Sequence, residues 1–211
     1  MKKLLLPLLV FLLFDTLQAQ VKIGIRFGGA VSSARVDAVS DTVEITKDEN
    51  TIRPLFGLTV DVPIKDNVSF SSGISYAPKK ASIEYLGQSG SFEGTENYRL
   101  QYLTVPLLIR FSTNEITPGL KVYFTTGFSP EVKVFEEASN RDAVIVDKFT
   151  PIDVSFNLGS GVELSIGPDT IIYGGITYNR GLINSVKDAV RSDADLKINN
   201  DLIGLEVGVR F

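Results

Sequence analysis

The chain has 211 residues and a formal net charge of −4, and it contains no cysteine, no histidine and no tryptophan. The absence of histidine and cysteine excludes most zinc sites, Ser-His dyads and cysteine nucleophiles, and no spacing of serines and carboxylates marks a nucleophile with its base. A mildly acidic chain also lacks the basic footprint that nucleic-acid binding needs. The composition therefore predicts no enzymatic activity, no cofactor, no metal ligands and no nucleic-acid partner.

The start of the chain has the layout of a secretory signal peptide. Two lysines are followed by an apolar run at residues 4–14 and then by Ala19, a small residue at the cleavage position. The run is about eleven residues long, whereas a membrane-spanning helix needs roughly 20. We expect a signal peptide at residues 1–19 and a mature domain at residues 20–211; an uncleaved membrane anchor is the alternative.

Eight segments of the mature domain alternate apolar with small or polar residues, which is the period-two pattern of a β-strand. Each is about ten residues long, the length that a tilted strand needs to cross a membrane. The segments are residues 21–28, 55–64, 68–77, 100–112, 120–129, 152–164, 170–179 and 202–211. Both faces of the seventh segment are apolar, and Ile172, Ile176 and Tyr178 are favoured as its outer face. The last segment ends on Phe211, an aromatic terminus typical of exported barrels.

The connections between these segments alternate in length. Three of them are short and rich in turn formers, whereas four are long and polar, at residues 33–53, 79–98, 131–150 and 183–200. Short apolar runs at residues 81–85 and 143–146 suggest that strands extend into the second and third of these loops as a hairpin rim. Outer-membrane barrels have short periplasmic turns on one rim and longer extracellular loops on the other. The sequence therefore predicts an all-β fold, an eight-stranded antiparallel up-and-down transmembrane β-barrel, located in the outer membrane of a Gram-negative bacterium.

Charged residues decide which face of each segment meets lipid. In the first segment, Lys22 and Arg26 lie opposite the apolar face, and a Lys or Arg that faces lipid costs about 2–4 kcal/mol near the midplane. We therefore expect the apolar faces outside and the polar faces inside, where an eight-stranded barrel has room only for side chains. A lipocalin-like soluble barrel would have the opposite polarity. Glycines on the charged face, such as Gly24 and Gly208, favour the membrane barrel because they suit a crowded lumen.

The inward faces also predict a cluster of charges in the lumen. Counted from the short-turn rim, Arg26, Asp61 and Glu206 lie at similar heights, so Arg26 is expected to bridge the two acids. A second ring, closer to the rim, is expected to comprise Glu163, Arg110, Lys121 and Arg210. Two interpretations remain open: a charged plug that satisfies buried polar groups, and a path for protons or ions.

Three motifs resemble the PorT family of small outer-membrane barrels. They are YLTVPLLIRF at residues 102–111, GSGVEL at residues 159–164 and YNRGL at residues 178–182. The resemblance covers essentially the whole mature chain. It implies an eight-stranded membrane barrel without enzymatic activity, and the named member of the family is associated with the type IX protein secretion apparatus.

Three functions remain open from the sequence. The leading hypothesis is a structural or protein-interaction role of the PorT-like kind, in which a barrel embedded in outer-membrane lipid binds a protein partner through its extracellular loops or its periplasmic rim. The alternatives are a transport element for small solutes or ions and a surface adhesin.

Overall fold

A computed structural model describes residues 21–39, 43–47, 51–87, 93–138, 146–189 and 195–211, so the predicted signal peptide lies outside the described residues. The strands are β1 (Lys22–Val39), β2 (Val43–Lys47), β3 (Thr51–Lys65), β4 (Val68–Gly87), β5 (Glu93–Thr104), β6 (Leu107–Ser112), β7 (Leu120–Ala138), β8 (Val146–Phe149), β9 (Ile152–Ser165), β10 (Ile171–Gly181), β11 (Val186–Ala189) and β12 (Asp195–Arg210). In this part of the chain, no helix has the length and apolar character needed to cross a bilayer.

Eight antiparallel strands close into a barrel. β5 and β6 together form one of the eight, because both pair with β4 on one side and with β7 on the other. They separate only at Val105 and Pro106, and a proline cannot donate to the ladder. Around the barrel the order is β1, β3, β4, β5–β6, β7, β9, β10 and β12, and the β12–β1 pairing closes the ring. The predicted fold class is confirmed.

The outer surface of the barrel is an apolar belt. On β12, Ile203, Leu205 and Val207 are 56%, 66% and 60% exposed, whereas Glu206 and Arg210 on the opposite face of the same strand are buried. Alternate side chains of a strand point to opposite faces, so one face of β12 meets lipid and the other meets the lumen. The predicted polarity is confirmed, and it is the reverse of a lipocalin-like barrel.

The ambiguous seventh segment corresponds to β10. Ile172 and Ile176 are exposed on its outer face, while Ile171 and Tyr173 are buried. Tyr178 shares the outer face and donates a hydrogen bond to Asp201 at 3.3 Å. The favoured outer face is therefore confirmed.

Strands continue through much of the predicted long loops. In the second loop this confirms the extension predicted from residues 81–85, whereas the first and fourth loops were expected to be polar connections and that expectation is wrong where they form strands. Residues 143–145 of the third loop lie outside the described residues. β1 extends to Val39, β4 to Gly87 and β7 to Ala138, well beyond the ends expected at residues 28, 77 and 129. Beyond the lipid belt the outer face meets water, so polar residues become frequent on it while backbone pairing goes on. A period-two pattern of hydrophobicity therefore ends before the strand does.

The lumen as a candidate functional site

Six of the seven charged side chains predicted for the lumen lie well inside the barrel. Between 3% and 8% of the residue surface is exposed for Asp61, Arg110, Glu163, Glu206 and Arg210, and the Arg26 side chain is 13% exposed. Each residue has the inward parity of its strand, opposite the lipid belt. The alternation of side chains thus brings six charges from five strands into one interior.

One continuous ion network joins four of these residues. Glu163 Oε2 accepts hydrogen bonds from Arg110 Nη2 at 2.7 Å and from Arg210 Nη2 at 2.5 Å. Arg210 also pairs with Asp61, whose Oδ1 accepts a hydrogen bond from Ser71 Oγ at 2.5 Å. Each buried carboxylate therefore has a cationic partner, which offsets the desolvation cost of placing charge in an interior.

Arg26 makes a separate pair. Its Nη1 lies 3.2 Å from Glu206 Oε2, and its Nε donates to Ser75 Oγ at 3.1 Å. The predicted contact between Arg26 and Glu206 is therefore present.

The predicted bridge from Arg26 to Asp61 is wrong, because Asp61 pairs with Arg210 instead. In the β1–β3 register Asp61 stands opposite Lys22, four positions from Arg26, whereas Arg210 stands opposite Gly24 across the β1–β12 seam. Strand tilt staggers neighbouring strands in a barrel, so equal counts from the rim do not give equal heights.

Lys121 was predicted to belong to the second ring of charges, but it takes no part in the ion network. It stands opposite Glu163 in the β7–β9 register, but Glu163 pairs with Arg110 and Arg210, and no ion pair joins Lys121 to any residue that the structure describes. Lys121 lines a cavity at the short-turn rim.

Two tyrosines that sequence reasoning did not select complete the network. Arg110 Cζ lies 3.6 Å from the ring centroid of Tyr123, and Arg210 Cζ lies 4.8 Å from that of Tyr173. A guanidinium over an aromatic face is attracted by the ring quadrupole, more strongly when both are desolvated. The sequence could have pointed to Tyr123 and Tyr173, because each is an aromatic residue on the inward face of its strand.

The lumen is crowded enough to explain its glycines. A Cβ built on Gly208 would lie 2.4 Å from Tyr173 Cζ and 2.6 Å from the carbonyl oxygen of Ile25. No side chain fits there without displacing backbone, which supports the prediction that glycines on the charged face mark a crowded interior.

A second buried cluster lies toward the long-loop end and was missed from sequence. Lys79 Nζ is 2.6 Å from Glu131 Oε2 and 3.3 Å from Asp153 Oδ2, and all three side chains are at most 3% exposed. The Tyr102 ring centroid is 4.7 Å from the same ammonium. Lys79 and Glu131 are the first residues of two predicted long loops, but they keep the inward parity of β4 and β7.

Buried apolar side chains fill the lumen beyond that cluster. Tyr98, Leu100 and Ile198 are buried on the inward faces of β5 and β12. Phe149 packs edge to face against Tyr98 with 5.0 Å between the ring centroids, and it is positioned by the pairing of β8 with β11. The long-loop end of the lumen is therefore filled by protein.

A cavity of about 50 Å³ remains in the lumen. Arg26, Arg110 and Glu206 line it, together with Ser129 and Asn157, which bond to each other at 2.9 Å. One water needs about 10–15 Å³ of such space, so the cavity holds a few waters rather than a solute. Within the described ranges, no group of three His, Cys, Asp or Glu side chains is placed to hold a metal ion.

The family of the chain follows from its sequence as a whole. A family model of the outer membrane protein beta-barrel domain matches residues 17–187. The chain belongs to this family. The predicted location, the outer membrane of a Gram-negative bacterium, is confirmed, and among proteins with curated descriptions none matches the sequence.

Solved structures of outer-membrane barrels share the fold. OprG from Pseudomonas aeruginosa is 15% identical, with 92% of this chain and 97% of that chain covered and a TM-score of 0.58. OmpT from Escherichia coli, an outer membrane protease, is 8% identical, with 93% and 97% covered and a TM-score of 0.54. At these identities the likeness shows the fold alone.

Proposed function

We propose that this barrel is a non-enzymatic structural or interaction protein of the outer membrane, which binds a protein partner through the strands that continue beyond the lipid belt. This proposal is based on the contrast between the lumen and the edge of β7 at the long-loop end. The lumen is filled by ion pairs and apolar side chains, whereas β7 presents an exposed apolar edge at the long-loop end.

That edge lies on the last residues of β7. β5 pairs with residues 135–138 on one side, while on the other side the β9 ladder ends at Val132 and the last backbone hydrogen bond runs from Lys133 N to Pro151 O at 2.8 Å. In the described part of the chain, no strand occupies this second edge at residues 134–138. Val134 and Phe135 are 51% and 43% exposed there. An exposed apolar edge is a template for an incoming strand, whose backbone would hydrogen-bond to it.

The side-chain chemistry supports a role without catalysis. The chain has no histidine, and the serines that donate hydrogen bonds to carboxylates, Ser71 to Asp61 and Ser155 to Glu131, are themselves buried. These carboxylates are held in ion pairs with Arg210 and Lys79, so neither is free to act as a base. The resemblance to the PorT family supports an interaction role as well, and it adds protein-secretion components to the partners worth testing.

A photo-crosslinking amino acid at Val134 tests this proposal in native membranes. We expect a discrete crosslinked protein at Val134, because Val134 lies on the exposed edge of β7. We expect none at Ile176, which is 56% exposed in the lipid belt. The absence of a protein adduct at Val134, or the same adduct at both positions, would contradict the proposal. If no crosslinked membrane protein is found and Val134→Lys abolishes attachment to host surfaces, the result would instead support a surface adhesin.

A further inference from the structure

A cavity of about 130 Å³ opens at the short-turn rim, next to the ion network of the lumen. We call it the rim cavity. Its charged lining residues are Lys22, Lys65, Lys121, Arg110, Arg210, Asp61, Asp66 and Glu163. Outer-membrane barrels direct this rim to the periplasm, so the cavity is open to periplasmic solutes and adjoins the inner leaflet.

The rim cavity has an excess of cations, although the chain as a whole carries a formal charge of −4. Asp61 and Glu163 are already paired with the two arginines. The three lysines make no ion pair with any residue in the described ranges, and Asp66 is the remaining carboxylate of the lining. Several ammonium groups around one concavity raise the local concentration of anions.

Two buried donors give a second, independent observation. Arg110 and Arg210 are 5% and 4% exposed, and the Nε of each is buried without a hydrogen-bond partner. Both residues line the rim cavity and the lumen cavity alike, so they separate the two. A buried N–H that lacks an acceptor is costly and calls for an explanation, such as a ligand that supplies the acceptor.

We propose that the rim cavity binds a phosphate group. Its lysines come from β1, β3 and β7, and Ser69 and Ser112 also line it. The oxygens of a tetrahedral oxyanion point in several directions, whereas the two oxygens of a carboxylate lie in one plane. Donors from several strands therefore suit the tetrahedral oxyanion better. Charge-assisted hydrogen bonds from ammonium and guanidinium groups to phosphate are among the strong ones. The phosphate is a free ion or ester of the periplasm, or the headgroup of an inner-leaflet phospholipid.

Titration with inorganic phosphate, followed by ³¹P NMR on the folded protein in maltoside micelles, tests the site. The wild type should bind saturably, and the triple variant Lys22→Gln, Lys65→Gln, Lys121→Gln should weaken binding at least about tenfold because it removes the charged donors. The matched control is Arg99→Gln, Arg180→Gln, Lys197→Gln, which removes the same charge from exposed positions toward the long-loop end. The control should retain the wild-type affinity.

Two results would overturn the proposal: no saturable binding by the wild type, or the same weakening in the control as in the rim variant. Heat-modifiable migration on gels verifies that each variant is folded. Should the triple variant fail to fold, Lys65→Gln alone tests the same site, because that side chain is exposed. Competition by short-chain phosphatidylglycerol below its micelle concentration identifies a lipid headgroup as the source, and phosphate binding without such competition identifies the free ion.

Discussion

Glu163 is the residue on which the lumen network depends most, because one of its oxygens accepts hydrogen bonds from two buried guanidiniums. Glu163→Gln leaves Arg110 and Arg210 with less negative charge around them. Breaking a buried pair by removing one partner costs about 3–5 kcal/mol, so the free energy of unfolding should fall by about that amount. Urea-induced unfolding in lipid vesicles, read by gel shift, measures the change.

The control for this variant is Glu137→Gln. Glu137 lies 3.7 Å from Arg99 in a pair whose two side chains are more than half exposed, and exposed pairs contribute about 1 kcal/mol or less. Equal losses of stability in the two variants would show that the lumen network is not what holds the barrel together.

At the level of single residues, the period-two pattern was sufficient to predict which charges face inward. Arg26, Asp61 and Glu206 all lie in the lumen as expected, because the face of a residue depends only on its parity along the strand. The partners of Asp61 and Lys121 were not predictable in the same way. They depend on how far neighbouring strands are displaced along the barrel, and no residue in the sequence reports that displacement.

At the scale of strands, most of the buried ion pairs connect elements that are not neighbours in the sheet, and Arg26–Glu206 across the β1–β12 seam is the exception. Arg110 on β6 reaches Glu163 on β9 across β7, and Arg210 on β12 reaches Asp61 on β3 across β1. Lys79 on β4 likewise reaches past β5 to β7. Backbone hydrogen bonds join adjacent strands, so these side chains add connections that the ladder itself lacks.

The lipid belt gives a prediction for one strand of the barrel. Leu107 lies on the outer face of β6, near the middle of the apolar stretch, and Gln101 lies on the same face in β5, beyond its end. Leu107→Arg should lower the free energy of unfolding in vesicles by about 2–4 kcal/mol, whereas Gln101→Arg should cost about 1 kcal/mol or less. Similar costs at both positions would mean that the belt does not face hydrocarbon.

The number of membrane-crossing strands could be predicted from the sequence, and the apolar run at residues 81–85 indicated that β4 is long, but the lengths of the other extended strands could not be predicted. β7 was expected to end at residue 129 and in fact reaches Ala138. Its continuation keeps Val132 and Val134 exposed on the outer face, but Phe135 and Glu136 break the alternation, so the period-two pattern no longer marks the strand. The cluster of Lys79 and Glu131 was missed for the same reason.

At the scale of the whole molecule, the filled lumen predicts a barrel without a lasting conductance. Ion pairs occupy the lumen near the short-turn rim, and apolar side chains occupy the other end. The cavity that remains in the lumen has a volume of about 50 Å³. In single-channel recording across planar bilayers, the purified barrel should show no sustained current step, whereas an open porin recorded alongside should. A sustained step would support the transport alternative over the interaction role.

The ion pairs that skip a strand have a mechanical consequence. A ring of eight strands held only by links between neighbours can flatten into an ellipse without breaking any of them, because each link acts as a hinge. Arg110–Glu163, Glu163–Arg210 and Arg210–Asp61 are chords of that ring, and a flattened outline would have to stretch some of them. The wall should therefore keep a round outline when the lateral pressure of the surrounding lipid changes.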